Sequence, residues 1–484
     1  MLPMPNPHCS FWKEHPAFLT GLNLLIGTSS FLFFEFPWNW IFPLLWSFYL
    51  ISLRSWSSIL LLAGSFLYAF FLFYQSPVST ETKAYFSISS LQPHQTPFQK
   101  RLLYKGTLYI NQAKLPCSIS TRIENRPIAD KNYVLSGTLQ QKGAYQYAFK
   151  PKKWHPIDGS FSLAEMRYQA KESLRRLLEQ KLPSPRTAAL LSSLITGDVE
   201  DRSLRYEFSK IGLQHILAIS GFHFGLLIAF CSFFLGLVLK SKWKFLALLV
   251  GVNAYFLFVG SSPAVQRSWL TASLYLCGKL MDRHSTGINL LGVALSIEIL
   301  CDPLASSQIG FQLSFLSCLG ILLFYPPFER SLRIYLPKRN FFESEDLTFP
   351  AKHGYLISAL LRQSLSLTLS VNLAIFPLLL FHFHQFPWLS LLYNLFFPLF
   401  LSLALFFILL ALLTHLLWPP AASLLFQAAD FFTAQLLDLS AYPPLALDYS
   451  LRLVSFPAWP IPFYLFALFT LSIRLSDNYK YDIN

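Results

Sequence analysis

The residues able to do chemistry in this sequence are polar groups set inside long apolar runs. Leu217-Ala-Ile-Ser-Gly-Phe-His-Phe-Gly-Leu226 places Ser220, Gly221, His223 and Gly225 in the middle of an uncharged run of 29 residues. Gln266 and Arg267 follow Ser262-Pro263 at the start of a later run, Gln308 and Gln312 open another, and Asn394 lies in a fourth. Polar side chains in hydrocarbon cost free energy, so by default they point to function. Amides and hydroxyls replace water around a moving solute without trapping it. Ser220, Gly221, His223, Gln266, Arg267, Gln308, Gln312 and Asn394 are therefore the candidate lining of a hydrated path, although His223 alone reads equally well as a packing histidine with a hydrogen bond.

Catalysis finds less support. A hydrolase needs a nucleophile with a partnered base, or a metal, and Ser220 near His223 has no evident carboxylate partner. His382-Phe-His384 lacks the Asp-His that would complete an HxHxDH metal motif. The six cysteines show no CxxC or CxxH spacing, so neither zinc nor a disulfide framework is expected. No GxxxxGK[ST] loop is present, and no cofactor is expected.

The elements that must position these groups are membrane helices. Charged residues make up 13% of the 484-residue chain, where soluble domains carry about 25%, and residues 363–429 contain no Asp, Glu, Lys or Arg. About 20 apolar residues cross a bilayer. Apolar runs place about eleven spans near 17–35, 37–53, 56–74, 211–239, 245–260, 264–278, 286–301, 307–325, 357–380, 389–416 and 456–473. Short basic loops stay cytoplasmic; those containing Lys240, Lys242 and Lys244, then Lys279 and Arg283, then Arg330, Arg333, Lys338, Arg339 and Lys352 fall on one face by parity. The same parity puts residues 75–210 outside. Residues 326–355 read as a polar loop, and 421–447, with Asp430 and Asp438, as either an interfacial or a crossing segment.

Residues 75–155 hold twelve Lys or Arg against three acids, nine of the chain's thirteen excess positive charges. Runs such as Gly106-Thr-Leu-Tyr-Ile110, Cys117-Ser-Ile-Ser-Thr121, Tyr133-Val-Leu-Ser-Gly-Thr-Leu139 and Ala144-Tyr-Gln-Tyr-Ala-Phe149 alternate polar and apolar residues, as strands of a small β-barrel do. Cations interleaved with Tyr104, Tyr109, Tyr133, Tyr145, Tyr147 and Trp154 fit a single-strand nucleic-acid surface, with charge for phosphates and rings for bases. The competing reading is a basic face toward anionic lipid, with the rings in the barrel core. The candidate DNA contacts are Lys100, Arg101, Lys105, Arg122, Arg126, Lys150, Lys152 and Lys153. Ser162 and Glu165 then form a capping-box pair opening an amphipathic helix. The division expected is 1–74 for three spans, 75–160 for the basic β domain, 161–210 for a helical connector, 211–420 for the main membrane domain, and 421–484 for an interfacial helix, last span and tail.

Leu194-Ile-Thr-Gly-Asp198 and Gly212-Leu-Gln-His-Ile-Leu-Ala-Ile-Ser-Gly-Phe-His-Phe-Gly-Leu226 resemble the signature of the ComEC competence family, inner-membrane channels for DNA uptake in natural transformation. Ser262-Pro-Ala-Val-Gln-Arg267, Asp302-Pro303, Gly310-Phe-Gln-Leu-Ser-Phe315 and Phe376-Pro-Leu-Leu-Leu-Phe-His-Phe-His-Gln-Phe386 follow in that family's order. The resemblance covers about residues 186–415; three leading spans and an OB-fold-like external domain extend it more loosely. Many relatives continue into a metallo-β-lactamase-like domain that degrades the non-transported strand. Without an HxHxDH motif here, the resemblance implies a separate nuclease.

The fold class expected is thus a polytopic α-helical membrane protein with one external, small, OB-like β-barrel, in the cytoplasmic membrane. The resemblance implies inward transport of single-stranded DNA, with membrane lipid, an external DNA receptor and a cytoplasmic motor or DNA-capturing protein as partners, and oligomerisation open. On that reading Arg267 is a phosphate relay or a side chain snorkelling to headgroups. Glu298 would pair with a cation, because an unpaired carboxylate at mid-bilayer costs about 2.5–3.5 kcal/mol. The rival class is a secondary transporter of a small polar solute, with His223 as proton relay and the external domain as lid.

Overall fold

A computed structural model describes residues 7–33, 37–73, 81–95, 100–110, 113–122, 132–143, 146–157, 162–339, 348–441 and 450–481. Four helices come first: α1 (Pro7–Glu14), α2 (Pro16–Phe33), α3 (Trp38–Ser52) and α4 (Trp56–Phe73). Five strands follow, β1 (Glu81–Gln95), β2 (Lys100–Ile110), β3 (Ala113–Arg122), β4 (Tyr133–Gly143) and β5 (Gln146–Pro156). They close into a barrel in the order β1-β2-β3-β5-β4, antiparallel except for the β3–β5 pair, which is the strand order of an OB-fold.

Alternation along the strands sends one face inward. Leu102, Tyr104, Leu108 and Ile110 of β2 meet Leu115, Cys117 and Ile119 of β3, Phe86 of β1 and Tyr133 and Leu135 of β4 in the barrel core. Two glycines allow close strand approach. A Cβ on Gly106 would lie 2.1 Å from the Ser87 carbonyl oxygen and one on Gly137 would lie 2.2 Å from that of Lys150. Both lie where the pairing register slips, at Ile88/Ser90 and at Ser136/Gly137.

The connector is helical, α5 (Leu163–Lys181), α6 (Pro185–Thr196) and α7 (Arg202–Lys210). Ser162 caps α5 by accepting from the Glu165 N–H, and Gly197 ends α6 in the left-handed region at φ 79°. Then come α8 (Gln214–Leu217), α9 (Gly221–Val238), α10 (Ser241–Val259), α11 (Pro263–Leu280), α12 (Gly287–Cys301), a 3-10 turn (Pro303–Ser307), α13 (Ile309–Leu332), α14 (Phe349–Phe383), β6 (Gln385–Pro387), α15 (Leu389–Leu417), α16 (Pro419–Ala441), β7 (Ser450–Arg452) and α17 (Pro460–Tyr481).

Each of the eleven expected spans meets a helix, with refinements. Among the described residues, α2, α9, α10, α13, α14 and α15 are long and apolar enough to cross a membrane, and three shorter apolar helices lie within α4, α12 and α17. The 211–239 run is not one helix. The chain is extended at Ala218 and Ser220, dividing α8 from α9. Both ends of the expected polar loop are helix: α13 runs on to Leu332 and α14 begins at Phe349. There the buried Arg362 bonds Glu329 and the carbonyls of Leu336 and Pro337, tying the two helices together.

Residues 419–441 form a helix packed on α15. Its Asp430 accepts from the Ser184 backbone and the Thr187 hydroxyl, so the carboxylate is satisfied by α6. The connector is part of the membrane domain's packing: buried residues of α5 to α8 share one core with α15 and α16. Likewise α1, α2, α3 and α4 pack with α12, α13 and α17 in a second core.

Candidate functional site

Basic residues are displayed on the outward face of the barrel. On β2, Arg101, Leu103 and Lys105 alternate with the core residues Leu102 and Tyr104. Across on β3, Arg122 pairs with Arg101, Ser120 with Leu103 and Ser118 with Lys105. Neighbouring strands lie about 4.8 Å apart, so Arg101, Arg122 and Lys105 form one cationic stripe with hydroxyls between. Lys150, Lys152 and Lys153 are exposed on β5, the next strand beyond β3. Lys100 opens β2, and Arg126 lies outside the described residues.

The aromatic residues divide. Tyr104 and Tyr133 are buried, and Trp154 packs on both at ring separations of 5.5 and 5.1 Å. Tyr104 and Tyr133 belong to the core and offer no face to a base, and the half-buried Trp154 packs against that core. Tyr109 is exposed beside Tyr85, 5.5 Å away on β1, and Tyr145 lies outside the described residues.

The barrel is fastened to the membrane helices by α5. Arg167 donates from Nε to the Leu257 carbonyl at 2.7 Å and from a terminal nitrogen to the Ser89 carbonyl at 3.3 Å, linking α10 to β1. A Cβ on Gly260, at φ 90°, would lie 2.9 Å from that guanidinium. One helical turn on, Lys171 forms an ion pair with Asp198 of the Leu194–Asp198 motif at 2.9 Å, with both side chains buried. Arg175 bonds Glu172 and Glu200, each at 2.6 Å. At the far end of α10, 15 residues or about 22 Å along the helix from Leu257, Lys242 meets Asp282 at 3.5 Å. The barrel and this basic loop therefore sit at opposite ends of the same helix.

Four of the candidate lining residues converge. Ser220 and His223 form a capping box at the start of α9, with the Ser220 N–H donating to His223 Nδ1 at 3.3 Å. Gly221 faces Arg267 of α11, whose guanidinium would lie 3.3 Å from a Cβ placed there. Arg267 is buried, not snorkelling. Its Nε donates to Ser314 of α13 at 2.7 Å and a terminal nitrogen donates to Ser268 at 3.3 Å. His223 Nε2 is buried with no partner among the described residues.

Glu298 of α12 is buried too, and neither carboxylate oxygen has a hydrogen-bond partner among the described residues. The contact pair with a cation expected from sequence is thus not formed among the described residues.

Gln312 belongs to a different group. Its Oε1 lies 2.8 Å from His382 Nε2, and its Nε2 donates to the Ser306 carbonyl at 3.0 Å. Gln308 is exposed one turn earlier at the start of α13, while Ser314, two residues on, faces another side. Gln266 and Asn394 are half-buried. Among the described residues no group of three or more His, Cys, Asp or Glu is placed to hold a metal.

Ser268 and Ser314 escaped the sequence reading because hydroxyls are common on apolar helices. The Lys171–Asp198 pair escaped it because its members are 27 residues apart, although Asp198 stood in a singled-out motif.

A family model described as Competence protein matches residues 194–477. The ComE operon protein 3 of Bacillus subtilis (strain 168) is 27% identical over 210 residues, 43% of this chain. That match spans 24%, about a quarter, of the relative's own length. No solved structure matches the chain.

Proposed function

The chain belongs to the competence protein family, and from that premise we propose that it takes part in DNA uptake by conducting one DNA strand across the cytoplasmic membrane. The observation that carries the reading is the position of the barrel. Its stripe of Arg101, Lys105 and Arg122 sits at the end of α10 opposite the Lys242 loop. If short basic loops are cytoplasmic, the stripe faces outward, where incoming DNA arrives.

Phosphates would bind the stripe electrostatically, with Tyr109 as the exposed ring beside it. The strand would then pass the Ser220, His223 and Arg267 cluster. There Arg267 presents positive charge held by hydroxyls and not neutralised by a contacting carboxylate. This arrangement attracts each phosphate in turn without a tight bidentate carboxylate-like lock. Force, capture of duplex and removal of the second strand fall to partners: a cytoplasmic motor or DNA-capturing protein, an external receptor and a nuclease.

The test follows labelled duplex DNA in cells with the gene deleted and then restored, separating envelope-held from cytosolic label. Deletion should stall DNA in the envelope and restoration should deliver it to the cytosol. Unchanged cytosolic delivery would overturn the reading and favour transport of a small polar solute.

A further inference from the structure

A cleft of about 290 Å³ lies where the barrel meets the first helices of the membrane domain. We propose that it is a one-nucleotide subsite, taking the base and phosphate of single-stranded DNA as it leaves the barrel; this rests on the DNA-conducting reading above. Its volume is at the lower edge of the ~300–1,000 Å³ usual for small-ligand sites. That suits one nucleotide and excludes a duplex.

The barrel wall is formed by Gln92 and Leu103, cross-strand partners on β1 and β2. Leu103 stands between Arg101 and Lys105 on the outward face, so the cationic stripe runs directly to the cleft. The facing wall holds Asp198, Arg205, Gln214 and Leu217. Arg205 is exposed and spends one N–H on the Val199 carbonyl at 2.7 Å; its other donors have no partner among the described residues. The amides of Gln92 and Gln214 likewise have no hydrogen-bond partner among the described residues.

These groups match the parts of a nucleotide. A guanidinium meets phosphate, side-chain amides pair with the donor and acceptor edge of a base, and Leu103 and Leu217 cover its ring. Asp198 would repel phosphate if bare. Its carboxylate is instead held by Lys171 at 2.9 Å, so this wall carries no uncompensated negative charge. An acyl chain would need a continuous apolar wall, which two glutamines and an arginine interrupt.

The experiment uses the full chain in lipid nanodiscs with an oligo-dT containing one 4-thiothymidine, irradiated and mapped by mass spectrometry. Adducts are expected on the peptide carrying Gln214 and on those carrying Gln92 or Leu103. Arg205→Gln and Gln214→Ala should each lower cleft adducts about tenfold, whereas Arg205→Lys, which keeps the charge, should retain most of them. Adducts confined to Arg101, Lys105 or Arg122, with salt-sensitive binding intact, would overturn the subsite and leave the DNA reading standing. No salt-sensitive binding by the wild-type chain would overturn both. Cleft adducts displaced by phosphatidylglycerol but not by unlabelled oligo-dT would overturn the subsite and assign the cleft to a lipid headgroup.

Discussion

Replacing Lys171 by methionine removes one half of an ion pair whose side chains are only 6% and 5% exposed. Breaking a buried pair costs about 3–5 kcal/mol because the remaining charge is stranded. The surroundings decide where in that range each variant falls. Arg167 and Arg175 act on the same site, so an Asp198 left without Lys171 keeps some cationic company and Lys171→Met should cost about 3 kcal/mol. Asp198→Leu strands Lys171 beside two arginines and should cost about 5 kcal/mol. Burial pushes the Lys171 ammonium below the ordinary lysine value of 10.5, against the pull of Asp198. Desolvation therefore outweighs attraction, and Lys171→Met with Asp198→Leu should come within about 1 kcal/mol of wild type or exceed it.

The assay is denaturant unfolding of the purified chain in lipid bicelles, run as a double-mutant cycle. Since the folded Lys171 value lies below the unfolded one, the unfolded chain binds more protons in the alkaline window below 10.5. Wild-type stability should rise with pH there, and the double variant should lose that slope. Additive losses near 8 kcal/mol in the double variant, or a slope unchanged by it, would refute the reasoning.

Arg101→Ala and Arg122→Ala should each weaken oligo-dT binding and lower the slope of log affinity against log salt by about one; fluorescence anisotropy in a salt series reads this, and a slope unchanged by either would remove that residue from the phosphate track. Tyr104→Ala should destabilise the barrel by about 3–5 kcal/mol, as large aromatic deletions do, while the protein that remains folded keeps the wild-type salt slope, because the ring is buried. Gly106→Ala puts a methyl 2.1 Å from the Ser87 oxygen and should make the barrel protease-sensitive, whereas Gly64→Ala, with no atom within 4 Å, should be silent. Arg267→Gln should abolish delivery of DNA to the cytosol with membrane insertion unchanged, measured by fractionation and uptake; full delivery would take Arg267 off the path.

Much of this architecture is local, and local signals survive in a sequence. Eleven apolar runs became helices because hydrocarbon leaves a backbone few other ways to satisfy its polar groups. Four strands followed from period-two alternation, and the Ser162 cap from its spacing to Glu165. Gly221 and Gly225 allow either a helix break or a close backbone contact, and the chain breaks just before Gly221, where α9 begins.

Other features depend on residues distant in the chain. The parallel β3–β5 closure, the burial of Tyr104 and Tyr133, and the contacts of Arg267 with Ser314 and of Gln312 with His382, 47 and 70 residues away, carry no periodic signal. Composition placed basic and aromatic residues in one domain; only the closed barrel decided that the arginines face out while most of the described rings face in. A sequence fixes which residues lie on one side of an element, and packing decides what that side meets.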